Sequence, residues 1–170
     1  GIKINDSSGP VIDNSIIKGN VAESEGGGIL ALNSQFYLNN TIIDSNISGA
    51  GGPSHGGGIY CLNSDFSLRN TVIRRNTAYG GGAIYLLSAS NALITNTLLT
   101  ENYADDAGGG VYCQQNSNLI AINSILWNNS PEQIYNQGLV TIAHSNLQGG
   151  ENGIVINANG TINWLDGNID

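Results

Sequence analysis

Apolar residues along this chain come in threes and fours, and they return at fixed places in a repeating unit. Ile29-Leu30-Ala31, Ile59-Tyr60-Cys61, Ile84-Tyr85-Leu86 and Val111-Tyr112-Cys113 each follow a run of glycines. Ile2-Lys3-Ile4, Ile134-Tyr135-Asn136 and Ile154-Val155-Ile156 continue the series at either end without them. A second motif recurs in between: Asn14-Ser15-Ile16-Ile17, Asn40-Thr41-Ile42-Ile43, Asn70-Thr71-Val72-Ile73, Asn96-Thr97-Leu98-Leu99 and Asn123-Ser124-Ile125-Leu126. Three residues after each comes another asparagine: Asn20, Asn46, Asn76, Asn102 and Asn129. Alternation over such short runs predicts strands with one face in and one face out, and no stretch sustains a helical period.

Four glycine triplets, beginning at Gly26, Gly56, Gly80 and Gly108, set the repeat length at 30, 24 and 28 residues. A unit of that size holding two or three short strands is one coil of a parallel β-helix, with neighbouring coils about 4.8 Å apart. Equivalent positions then stack into columns. Ile2, Ile29, Ile59, Ile84, Val111, Ile134 and Ile154 are expected to line one inner wall, and Ile17, Ile43, Ile73, Leu99, Leu126, Leu147 and Leu165 another. The series from Asn20 to Asn129 reads as an asparagine ladder, each amide donating to and accepting from the next. Gly150 and Asn168 take the ladder position in the last units.

Composition agrees with turns and short strands. The 170 residues include 24 Gly and 25 Asn, and only 11% are charged. So many glycines would cost a helical protein about 1 kcal/mol each in helix interiors. A net charge of −8 argues against nucleic acid and anionic membrane surfaces as partners. The apolar runs are too short to span a bilayer.

Gly81-Gly82-Ala83-Ile84, and an apolar residue three before the ladder asparagine of each unit, resemble the GGA[ILV] and FxxN repeats of polymorphic outer-membrane autotransporters. The stretch from Ser124-Ile125-Leu126-Trp127 to Gly167-Asn168-Ile169-Asp170 is similar to secreted bacterial right-handed β-helix proteins of the pectate-lyase-like superfamily. The resemblance implies an all-β fold: one right-handed parallel β-helix over 1–170, with about seven coils and three short strands in each. In that family the closing Gly-Asn-Ile-Asp runs on, so the chain is expected to be a segment of a longer one or an assembling subunit. The superfamily holds lyases, hydrolases, adhesins and passive stalks, so function must come from the site.

Candidate chemistry is sparse. Cys61 and Cys113 share an inner column two coils apart, about 9.6 Å, which is beyond a disulfide. Lys18, Asp44 and Arg74 fall in one column, and Arg75 and Glu101 in the next, as cross-coil charge pairs. Glu23 and Glu25 lie in a loop before one glycine run, and Asp105 and Asp106 in a loop before another, three coils or about 14 Å away. A hydrolase pair needs roughly 5–9.5 Å. Asp105-Asp106 is the candidate Ca²⁺ site, and no other cofactor is expected. His55, in the stretch Ile47 to His55, is expected to be solvated, and His144 to be a turn residue.

The most suggestive feature is an outward column, Lys3, Leu30, Tyr60, Tyr85, Tyr112, Tyr135 and Val155, with tyrosine in four consecutive coils. It reads either as stacking that stiffens the sheet or as a flat platform for sugar rings or a partner protein. A second outward row, Ile16, Ile42, Val72, Leu98 and Ile125, is aliphatic. These features favour an extracellular or cell-surface scaffold or adhesin over an enzyme. Its expected partners are copies of itself, neighbouring β-helix segments or a polysaccharide. A polysaccharide lyase or hydrolase is the alternative.

Overall fold

The computed structural model describes residues 1–6, 8–49, 51–157 and 159–170. Every paired strand runs parallel to its neighbours, and each strand bonds to its counterpart one coil before and one coil after. Among the described residues, the first sheet has seven strands, from Ile2–Asn5 to Ile154–Ile156, and the second has seven, from Ser8–Asp13 to Thr161–Trp164. The third has six strands, from Ile16–Lys18 to Asn146–Leu147. A fourth has four: Val21–Ala22, Ile47–Ser48, Thr77–Gly80 and Tyr103–Ala107. The central coils therefore carry four strands rather than three. The stretches expected as loops before the glycines supply the extra one. The strands of the first sheet make six steps of one coil, so there are about six turns against about seven expected.

The columns follow the predicted register. Ile29, Ile59, Ile84, Val111 and Ile134 are fully buried on one inner wall, and Ile43, Ile73, Leu99, Leu126 and Leu147 on another. Two positions depart: Ile2 is 36% exposed, and Leu165 is 50% exposed and lies beyond the last strand of the second sheet. A third inner wall comes from the second sheet, where Phe36 stacks on Phe66 with centroids 5.1 Å apart and Ala92 and Leu119 continue the column, with Leu38, Leu68, Ile94 and Ala121 forming a second buried column beside it. Cys61 and Cys113 are free, buried thiols, Cys113 pushed up to about 12 by burial.

The corners explain the asparagines and glycines. Asn14, Asn40, Asn70, Asn96, Asn123 and His144 all sit at φ between 48° and 51°, the left-handed region that asparagine tolerates best after glycine. His144 is thus a turn residue, as expected. At the corner before the first sheet, Gly26, Gly56, Gly81 and Gly108 take φ of 64–71°. The equivalent of Gly26-Gly27-Gly28 is therefore Gly81-Gly82-Ala83, and Gly80 ends a strand of the fourth sheet. A Cβ on Gly57 would lie 2.5 Å from Thr77 O and 2.6 Å from Gly82 O, so the middle glycine is fixed by the approach of adjacent backbone.

The ladder is made of real bonds. Asn46 Nδ2 donates to Asn76 Oδ1 at 2.9 Å and to Ile17 O at 3.0 Å, and Asn76 and Asn102 repeat the pattern. Asn20 joins below through Nδ2 to Asn46 Oδ1, and at Asn129 the amide of Gln133 takes over as acceptor. Asn168 is not in this ladder. It follows the left-handed Gly167 and accepts from Ser145 N, continuing a hydroxyl column that passes from Thr97 to Ser124 to Ser145.

Candidate functional site

Tyr60, Tyr85, Tyr112 and Tyr135 stand in register on the first sheet, their rings 5.6, 4.7 and 4.8 Å apart in sequence. They do not form an open platform. Tyr60 is 7% exposed and Tyr85 6%, while Tyr112 and Tyr135 are half-buried. The reason lies at the glycine corner. A Cβ on Gly56 would sit 2.6 Å from Tyr60 Cβ, so the chain entering the corner presses on the outer side of the strand that leaves it. Burial, with a smaller push from Glu25, raises Tyr60 to about 12, and burial raises Tyr85 and Tyr112 as well.

His55 belongs to this cover rather than to solvent. Its ring centroid lies 4.4 Å from that of Tyr85, its Nδ1 lies 3.4 Å from Glu25, and its backbone N–H donates to the same carboxylate. Ala50, in the segment leading to it, lies outside the described residues.

The charged columns rearrange in one respect. Lys18 and Arg74 flank Asp44 on the strands either side, as expected. Arg75, however, does not pair with Glu101: it turns back to Asp44, with Nε at 3.0 Å and Nη2 at 2.7 Å. A carboxylate only 2% exposed attracts the bidentate fork more strongly than the exposed Glu101 does. Burial pushes Asp44 up, but hydrogen bonds from Arg75 and Ser45 and the charges of Arg75 and Arg74 outweigh it and hold the carboxyl at about 2.

Asp105 and Asp106 lie in a strand, not a loop. The register passes from Ala78 opposite Ala104 to Gly80 opposite Ala107, so the strand carries one extra residue there and both aspartates are exposed. Among the described residues no group of three or more His, Cys, Asp or Glu is placed to hold a metal ion. Glu132, raised by burial, accepts from Gly108 N–H at 2.6 Å.

Open apolar surface lies on the second and third sheets and also on the fourth, where Val21, Ile47 and Tyr103 are exposed in one column. Outward residues of the second form a groove of about 410 Å³, floored by Tyr37, Leu93 and Ile120 and edged by Gln35, Asp65, Asn91, Asn118 and Leu139. Asn91 Nδ2 donates to Asp65 at 2.6 Å, which fixes that edge. The adjoining third sheet exposes Ile16 at 68% and Ile125 at 45%, with Ile42, Val72 and Leu98 half-buried between them. Sequence reasoning found the aliphatic row but missed the groove. Its signal was the outward Tyr37, Leu93 and Ile120, which share one outward column, interrupted by Ser67 between Tyr37 and Leu93, beside buried Phe36, Ala92 and Leu119.

Parallel sheets wound coil upon coil around an apolar core, with amide and hydroxyl ladders at the corners, define a β-solenoid. The family described as right handed beta helix region matches residues 1–169, and the chain belongs to it. Comparison with curated proteins and with solved structures gave no match.

Proposed function

We propose that the protein is an extracellular adhesive scaffold, a rigid rod that works by contact through the outer faces of its second and third sheets. The observation that carries this is the exposed apolar surface on those two adjoining faces: Val11 at 60%, Leu93 at 40% and Ile120 at 39% on one, Ile16 and Ile125 on the other. Contiguous apolar surface left open to water marks an interaction site. The charged groups support the same reading, because Lys18, Arg74 and Arg75 are turned to Asp44, and His55 to Glu25. Sedimentation velocity over a range of concentrations, with electron micrographs of the same samples, tests it. Lateral association that disappears in Leu93→Asp/Ile120→Asp is the expected result. A monomer at every concentration that also binds no polysaccharide would sink the proposal.

One observation favours carbohydrate as the thing contacted. The groove combines the Tyr37 ring with the amides of Gln35, Asn91 and Asn118, groups that suit sugar faces and hydroxyls. Asp65 is the only carboxylate in its lining, which fits binding better than acid–base hydrolysis. Retention on immobilised neutral polysaccharide, lost in Tyr37→Ala, is the outcome this reading requires; breakdown of the polysaccharide would point to the enzyme instead.

A further inference from the structure

Three of the chain's five Lys and Arg gather around one carboxylate, in a protein whose net charge is −8. Arg75 alone would neutralise Asp44: it spends Nε and Nη2 on both carboxylate oxygens, and Ser45 Oγ adds a bond at 2.8 Å. The other two cations are held loosely. Lys18 Nζ lies 3.7 Å from Asp44 Oδ2, and Arg74 reaches the same oxygen through Nη2 at 3.3 Å, while its Nε has no hydrogen-bond partner. Lys18 is 60% exposed and Arg74 40% as whole side chains, although Arg74 Nε itself is buried, so the Lys18 ammonium and the outer part of the Arg74 side chain are what water reaches. Glu101 occupies the corner position of Arg75 one coil on, and even with its charge counted the cluster keeps a positive excess.

Lys18 and Arg74 sit in register with Asp44 on the strands below and above it. Parallel neighbours are about 4.8 Å apart, so the two cations straddle a gap of about 9.6 Å between their Cα atoms. A single tetrahedral oxyanion fits over such a gap, taking an ammonium from one side and a guanidinium edge from the other. We propose that Lys18 and Arg74, braced on the Asp44–Arg75 pair, bind a sulfate or phosphate group of an anionic ligand. This site is apart from the groove over Tyr37, Leu93 and Ile120 but adjoins the aliphatic row of the third sheet, since Ile16 and Lys18 share one strand and Val72 and Arg74 another; its test reads anion binding rather than association, so the two proposals fail separately.

Calorimetric titration at low salt with inorganic sulfate, inorganic phosphate, dextran sulfate and uncharged dextran tests the proposal and separates a free ion from an ester. Saturable binding of dextran sulfate but not dextran, weakened at least tenfold in Lys18→Gln/Arg74→Gln and unchanged in Lys3→Gln/Arg69→Gln, is expected. Binding of the inorganic ions without preference for the polymer would assign the site to a free oxyanion. Should the double variant unfold, Lys18→Gln alone carries the test, since its contact is long and exposed. Absence of binding by all the anionic probes, or equal loss in Lys3→Gln/Arg69→Gln, overturns the site.

Discussion

The tyrosine column of the first sheet and the aliphatic row of the third are the same pattern in sequence: an outward apolar residue repeated once per coil. In the structure they meet opposite fates. Tyr60 and Tyr85 are 7% and 6% exposed, whereas Ile16 and Ile125 are 68% and 45% exposed. The corner before each sheet makes the difference. The first sheet is entered through left-handed glycines so tight that a Cβ on Gly81 would lie 2.8 Å from Tyr85 Cβ, and the preceding segment, with His55 and Gly80, closes over the rings. The third sheet is entered through left-handed asparagines followed by the buried Thr41, Thr71 and Thr97, and its outer side stays bare. Alternation decides which side chains enter the core. Corner geometry decides which of the others meet water.

The strongest way to break the contrast is to rebuild the glycine corner. Gly81→Val places a β-branched residue at φ +64°, with its Cβ 2.6 Å from Ile84 O. The left-handed penalty and the overpacking together predict a loss of more than about 4 kcal/mol. Urea unfolding measures it, and a variant as stable as the parent would show that the corner can relax. Next in size is Tyr85→Ala, which removes a ring stacked between Tyr60 and Tyr112 and beneath His55. Truncating a buried aromatic there should cost about 3 kcal/mol.

The covered column also gives the rod an alkaline limit that an open one would lack. Burial raises Tyr60 from 10.0 to about 12 in the folded chain and shifts Tyr85 and Tyr112 the same way. Between those values the unfolded chain holds fewer protons than the folded one, so stability present below pH 10 falls as pH rises towards 12. Tyrosinate absorbance and circular dichroism followed together should show these rings ionising as the strands are lost. Full ionisation of all seven tyrosines with the sheets intact would contradict the burial.

Much of this was legible in the sequence, for identifiable reasons. Repetition fixed the columns, because equivalent residues such as Ile59, Ile84 and Val111 must stack when coils do. The fourth sheet was not legible: Ile47–Ser48 and Tyr103–Ala107 are too short or too acidic to alternate, and their neighbours on adjacent coils make them strands. The turn of Arg75 to Asp44 was hidden for a similar reason. Register gives the nearest column, but a guanidinium at a corner reaches two columns, and the more buried carboxylate takes it. Stacking alone left the tyrosines open to either reading, and only the segment lying across them decided between cover and platform.

The smallest expected effect is the sharpest test of the open row. Ile125 is 45% exposed on the outer face of the third sheet, beside Leu98 and Asn123. Substituting an exposed side chain away from a packed core changes stability by about 0.5 kcal/mol or less, so Ile125→Ser should unfold at nearly the parent denaturant concentration. Its consequence should appear in contact instead, as weaker lateral association, because the hydroxyl breaks the apolar strip where a partner would lie. Equal losses of stability for Ile125→Ser and Tyr85→Ala would mean that the row is packed as tightly as the tyrosine column. Unchanged stability with unchanged association would leave the row as bare surface and place the adhesive contact in the groove over Tyr37, Leu93 and Ile120.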